Sequence, residues 1–239
     1  MSAPGPVVYR HAVVASTQDL AHELAEQGAP AGTVVTAEEQ TGGRGSRGRA
    51  WGSPRGGLWL SVVLRPASAA AVEVLSLRLG LAVAGAVESA TAARSLALKW
   101  PNDLLLGGRK VGGILCEARW QGDRPEWVVA GIGLNVANRP PVEARHPAAV
   151  LADDRPGLTP EQLLEPVAGA VRDAGRRDGA LEAAELAELA GRDWLHGRAL
   201  REPVAGVAAG IAADGRLAVR RGDGRLELVR TGTVVLESI

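Results

Sequence analysis

Apolar positions along this chain of 239 residues fall into two rhythms, and the change between them marks its parts. Val7–Val14 reads as a strand. Ser16 and Thr17 then open a helix running to about Gly28, with Leu20, Leu24 and Ala25 on one face. Thr33–Ala37 and Leu58–Leu64 are short apolar runs expected as buried strands. Ala67–Ala93 is rich in Ala and Leu and lacks proline, which predicts one long helix or two. A short strand over Leu96–Trp100 follows, then a strand pair over Lys110–Trp120 and Glu126–Val136. Ala137–Ala149 holds three prolines and no periodicity, so it is expected as a loop. Helical patterns over Pro160–Arg177 and Ala180–Ala190 complete an α+β body. After Trp194 the pattern turns to β runs over Val204–Ile211, Leu217–Arg220, Leu226–Val229 and Val234–Leu236. Asp214-Gly215 and Asp223-Gly224 separate them as hairpin turns. The chain therefore divides into a body over 1–193 and a small β-barrel over 194–239.

Composition narrows the function classes. Lys plus Arg and Asp plus Glu are 27 each, which excludes a protein basic all over. A single cysteine, Cys116, excludes an internal disulfide and a cysteine zinc site, and it is expected in the core. His11, His22, His146 and His196 show no metal-ligand spacing. No uninterrupted apolar run approaches spanning length, and the N-terminus lacks a secretory pattern, so a cytoplasmic protein without membrane contact is expected.

Two segments carry candidate chemistry. The first is Gly42-Gly43-Arg44-Gly45-Ser46-Arg47-Gly48-Arg49-Ala50-Trp51. Its glycines match G-x-G-x-x-G by letter, but Gly52, Pro54, Gly56 and Gly57 bar the helix a dinucleotide fingerprint needs. Arg44, Arg47, Arg49 and Arg55, with no acid among them, suit a polyanion or a carboxylate about to react with one. A solvated basic loop or a nucleic-acid patch fits the loop alone equally well. The second is Lys99-Trp100-Pro101-Asn102-Asp103 at a strand end, where Asn102 and Asp103 could hold Mg²⁺ on a nucleotide. An ordinary Asn-Asp turn remains open there. Beyond the Gly107-Gly108 hairpin turn, Lys110 precedes Gly112 and Gly113, and the partner strand carries Gly131 and Gly133 before Asn135. Two strands lacking side chains at matched places suggest a slot for a flat ligand, with Lys110 at its carboxylate.

Together, Ser16 to Asp19, Glu39 to Trp51, Lys99 to Asp103, Arg109 to Leu115 and Gly131 to Asn135 resemble the biotin protein ligases, in that family's order. The resemblance implies a catalytic body related to class II aminoacyl-tRNA synthetases with a mixed sheet, followed by an SH3-like barrel. It implies two steps: biotin's carboxylate attacks the α-phosphorus of ATP, and a lysine of a biotin carboxyl carrier domain then takes the biotinyl group. It carries biotin binding onto Ser16, Thr17, Gln18, Gln40, Arg44, Gly45, Ser46, Lys110, Gly113, Gly131 and Gly133. Arg47, Arg49, Trp51, Lys99, Asn102 and Asn135 would meet ATP or the adenylate, and Asp103 would hold Mg²⁺. Lys110, Arg44 and Lys99 would be catalytic, converging on one space. Aliphatics such as Val150 or Leu151 are expected over the adenine ring.

Departures from the family pattern qualify these expectations. Ser46 stands where many relatives carry arginine, which predicts looser retention of the adenylate. Gln18 stands where asparagine is usual. Only 15 residues precede Ser16, too few for a winged helix, so DNA binding is not expected. The oligomeric state stays open, a homodimer included. Rival readings are a lipoyl-type ligase on the same fold and a non-catalytic nucleotide- or nucleic-acid-binding module.

Overall fold

The computed structural model describes residues 7–91, 95–140 and 148–237. Its body is a seven-stranded sheet ordered β1-β2-β3-β7-β6-β5-β4. The strands are β1 (Val8–Val14), β2 (Val34–Gln40), β3 (Leu58–Leu64), β4 (Ala97–Lys99), β5 (Asp103–Leu106), β6 (Arg109–Gln121) and β7 (Arg124–Leu134). Only β1 and β2 run parallel; the remaining pairs are antiparallel.

Every residue of β3 is buried, because helices cover both faces of the sheet. On one face lies α1 (Thr17–Glu26), which packs Ala21 and Ala25 against Val35, Val63 and Val129. On the other lie α2 (Ala69–Thr91) and α4 (Pro160–Ala174), whose Leu and Val side chains join the main core. Ser16 caps α1 by accepting from the Gln18 N–H at 3.2 Å. Thr159 and Gln162 form a capping box at the start of α4.

Taken whole, α2 is long and apolar enough to cross a membrane, although Glu73, Arg78 and Glu88 break its apolar run. It is the helix of a core instead. Arg78, 2 % exposed, bonds Glu185 of α5 (Ala183–Arg192) at 2.7 Å and donates to the carbonyls of Arg177, Gly179 and Ala180. A cation so buried requires such satisfaction.

A second, antiparallel sheet of five strands has the order β11-β10-β9-β8-β12: β8 (Ala199–Glu202), β9 (Gly206–Ile211), β10 (Leu217–Arg220), β11 (Leu226–Val229) and β12 (Val235–Leu236). Leu200, Leu217 and Val219 belong to the same apolar cluster as Val74 and Leu98, so one core runs under both sheets. The Trp100 indole N–H reaches the Gly215 carbonyl at 2.9 Å.

The strand and helix pattern agrees with the expectation, with three additions. Neither β5 nor β8 was expected, since each is four residues of mixed character. Leu151–Asp154 forms a short helix, α3, directly after the expected loop. Residues 141–147 of that loop, His146 included, lie outside the described residues.

Candidate functional site

The loop between β2 and β3 is a hairpin rather than open coil. The Trp51 N–H donates to the Gly43 carbonyl at 2.8 Å, and the Gly45 N–H to the Arg49 carbonyl at 2.7 Å. A Cβ on Gly43 would lie 2.5 Å from the Trp51 carbonyl and from Ser53 Oγ, so the turn admits only glycine there. At the tip, Arg47 has φ 63°, the only positive φ outside glycine among the described residues. Its guanidinium bonds Thr233 and Thr231 next to the second sheet.

The hairpin covers two adjoining cavities. The first, about 80 Å³, takes Ser16, Thr17, Gln18, Gln40, Arg44, Gly45, Ser46, Arg49, Trp51, Asn102, Asp103, Lys110, Gly113, Gly131 and Gly133 of the expected residues. The second, about 360 Å³, is lined by Arg47, Arg49, Lys99, Asn102, Asp103 and Lys110, with Thr231 to Val234 closing one side. Lys110 lies on the wall shared by both. The three expected catalytic cations therefore do not face one space: Arg44 faces the first cavity, Lys99 the second, and Lys110 joins them.

One end of the first cavity is a closed polar network. Gln40 Oε1 accepts from the Thr17 N–H at 2.8 Å and from its hydroxyl at 3.0 Å. Gln40 Nε2 donates to Ser53 Oγ at 2.8 Å. Ser61 Oγ donates to Gln18 Oε1 at 3.0 Å, and Gln18 Nε2 donates to the Val129 carbonyl at 3.0 Å. Ser16 combines capping with lining, as the strand–helix corner allows.

The glycine notches lie in register, with Gly113 opposite Gly133 and Leu115 opposite Gly131. They are not vacant. A Cβ on Gly131 would sit 2.5 Å from Gln18 Oε1, and one on Gly133 would sit 2.7 Å from Trp51 Nε1. The slot expected to lie on bare backbone is floored by an amide and an indole instead. Trp51 Nε1 is buried with no partner among the described residues, and the Lys110 ammonium stands 4.9 Å from that ring's centroid. Gly112 faces the core, where a Cβ would come within 2.5 Å of Leu134 Cδ2.

Lys110 pairs with Asp103 at 2.7 Å. Lys99 is 7 % exposed, forms no ion pair among the described residues and lies 5.5 Å from the Trp194 ring centroid. Burial, with Lys110 and Arg49 nearby, holds its pKa below that of a free lysine, against the opposing pull of Asp103. Asn102 Nδ2 donates to the Ile114 carbonyl at 2.6 Å, which fixes the strand end.

Asn135 is placed elsewhere. It is 4 % exposed, accepts from Asn138 Nδ2 at 3.0 Å and lines neither cavity, so it braces the loop after β7. Leu151 is 1 % exposed in the core and likewise faces neither cavity. Cys116 is half-buried and edges the second cavity, its thiol pushed up to about 12 by burial.

Residues missed in the sequence include Ser61, Thr231, Thr233, Asp19 and Glu117. Ser61 had a signal, being the one polar residue in an otherwise apolar strand. Arg44 Nη2 lies 2.8 Å from both Asp19 and Glu117. The Glu117 carboxyl is held below its usual range, foremost by His22, whose Nε2 stands 3.6 Å away, then by Gln18 and Arg44, against the opposing effect of burial. None of those pairings is local in sequence.

Residues 11–135 match the biotin/lipoate A/B protein ligase family. The chain belongs to this family. Among curated members it is similar to the bifunctional ligase/repressor BirA of Bacillus subtilis, 41 % identical over 165 residues, or 64 % of this chain and 50 % of that protein. It is also similar to the biotin–[acetyl-CoA-carboxylase] ligase of Paracoccus denitrificans, 41 % identical over 143 residues, or 57 % of this chain and 60 % of that protein. The chain thus aligns with about half the length of the curated family members it matches. Among solved members, the biotin protein ligase of Aquifex aeolicus in complex with biotin and ATP superposes with TM-score 0.79 at 27 % identity, covering 97 % of this chain and 98 % of that one. The Leishmania major ligase with biotinyl-5-AMP gives 0.67 at 30 % identity, covering 95 % and 99 %. The mixed α+β architecture is that of the family's ligases, and the second sheet fits their small β domain.

Proposed function

We propose that this family member is a biotin–protein ligase, which activates biotin as biotinyl-5′-AMP and transfers it to a lysine of a biotin carboxyl carrier domain. The observation that carries the reading is Lys110 on the wall between a narrow polar slot and a cation-lined cavity. A carboxylate and a triphosphate repel each other, and an ammonium at their junction offsets that repulsion where the new bond forms. In this assignment Thr17, Gln18 and Gln40 meet the ureido ring, whose N–H and C=O groups match their mixed donors and acceptors. Lys110 and Arg44 meet the carboxylate and α-phosphate; Lys99, Arg47 and Arg49 hold the remaining phosphates.

Among the described residues no group of three His, Cys, Asp or Glu side chains could hold a metal by itself. Asp103, the one carboxylate among the described residues that line either cavity, suits a magnesium ion that arrives with the nucleotide and offsets its phosphate charge. No nucleophilic side chain is required, since substrate oxygen and carrier lysine supply the attacking atoms. The 1–193 and 194–239 division and a cytoplasmic setting belong to the same proposal.

The named similar proteins being biotin ligases favours biotin over lipoate. Pyrophosphate–ATP exchange stimulated by biotin, followed by labelling of a carrier domain, tests the reading. Exchange that answers to lipoate and not to biotin, or no exchange at all, would overturn it.

A further inference from the structure

Arg44 is held by one nitrogen. Its Nη2 lies 2.8 Å from Asp19 Oδ1 and 2.8 Å from Glu117 Oε2, while Nε and Nη1 have no partner among the described residues. Arg44 lines the first cavity; Asp19 and Glu117 do not. We infer that Glu117 is a positioning residue for the ligation reaction, anchoring Arg44 from behind so that its remaining donors serve the reacting anion.

Glu117 is itself oriented. The Trp127 indole, which can only donate, gives its proton to His22 Nδ1 at 3.1 Å. In the neutral ring the proton then sits on His22 Nε2, which faces Glu117 Oε2 at 3.6 Å. Strand β6 supplies the carboxylate, β7 the indole, α1 the imidazole and Asp19, and the hairpin the arginine. Three separate segments, β6, β7 and α1, thus meet behind the guanidinium that the hairpin supplies.

A purely structural role fits poorly. The Arg44, Asp19 and Glu117 side chains are 40 %, 48 % and 36 % exposed, and ion pairs so wet add little to folding stability. Holding a planar fork at a fixed angle is where such a contact pays.

This inference rests on the ligase reading, and the experiment separates the two. Biotin-dependent pyrophosphate exchange is measured for wild type, Glu117→Gln, Glu117→Asp, Arg44→Ala and the Arg44→Ala/Glu117→Gln double variant. Glu117→Gln should raise the biotin KM about tenfold, the scale of one charge-assisted hydrogen bond, with kcat changed by less than about twofold. Glu117→Asp should recover most of that loss, and the thermal midpoints of both single Glu117 variants should match wild type. The double variant should be no worse than Arg44→Ala, since removing the arginine removes what Glu117 acts upon. An unchanged KM in Glu117→Gln, or losses that add in the double variant, would overturn the inference while leaving the ligase reading intact. A wild-type protein without biotin-dependent exchange would overturn both.

Discussion

The first cavity is lined by polar groups that satisfy one another, the second by cations that do not. Around the first, Thr17 donates to Gln40 and Gln40 to Ser53, while Ser61 donates to Gln18 and Gln18 to the Val129 carbonyl. In the second, Arg47, Arg49, Lys99 and Lys110 face a single carboxylate among the described residues, Asp103. The neutral network is settled without a ligand, so it selects by shape and donor pattern. The cationic wall carries an electrostatic cost that a polyphosphate relieves, so it selects by charge. A ligase that must bring together a bicyclic carboxylate and a nucleotide needs both kinds of surface, and Lys110 is where they join.

The largest expected effect falls on that junction. Lys110→Ala should slow biotin-dependent exchange by about two orders of magnitude, the scale of losing one preorganised charge contact. Full activity would remove the junction from the mechanism. Neighbouring glycines then separate cavity from core. Gly113→Ala should keep the wild-type thermal midpoint, because its Cβ meets Lys110 Cε and the Trp51 ring at an ordinary 3.7 Å, yet weaken biotin binding by taking up slot space. Gly112→Ala meets Leu134 Cδ2 at 2.5 Å and the Gly133 carbonyl at 2.8 Å and should lose about 1–3 kcal/mol of stability by overpacking. Calorimetry and biotin titration on the two variants would expose any reversal.

Lys99 tests the cost of the charged wall. Lys99→Met should lower exchange at least tenfold yet raise the thermal midpoint by about 2–4 °C, since it removes a desolvated ammonium. The sign with pH follows from the lowered native pKa. Between that pKa and 10.5 the unfolded chain holds more protons than the native one, so wild-type stability rises with pH there. The gap to Lys99→Met should therefore narrow as pH rises through this window. A gap that widens would mean that the amine is stabilised where it stands.

The smallest effect concerns Ser46. Arg49 folds back onto it, Nη2 to the hydroxyl at 3.0 Å and Nε to the carbonyl at 3.2 Å, so a guanidinium already stands beside the serine. Ser46→Arg should slow adenylate release only a fewfold. Equal release rates would mean that Ser46 does not loosen retention.

What the sequence made legible is what neighbouring residues determine. The all-apolar run of β3, the capped start of α1, the glycine turn after β5 and the hairpin's arginines all follow from local pattern. The paired glycines of β6 and β7 could be read as a slot, but not that Gln18 and Trp51 would floor it. Those side chains arrive from α1 and the hairpin, through packing across the sheet. Arg47 with Thr231 and Thr233, Arg44 with Glu117, and Lys99 against Trp194 join residues far apart in the chain. No periodicity encodes such pairs. Asn135 misled because a polar residue after two glycines resembles a ligand contact, while its actual partner, Asn138, lies three residues further on.

The indole of Trp100 hands its sole proton to a backbone oxygen at the tip of the β9–β10 hairpin. Chimaeras that exchange the tail sheet between family members must therefore transplant that tip with its oxygen correctly aimed. Otherwise a desolvated donor is orphaned at the very strand end from which Lys99, Asn102 and Asp103 project, and the damage would register as lost catalysis in a graft made far from the chemistry.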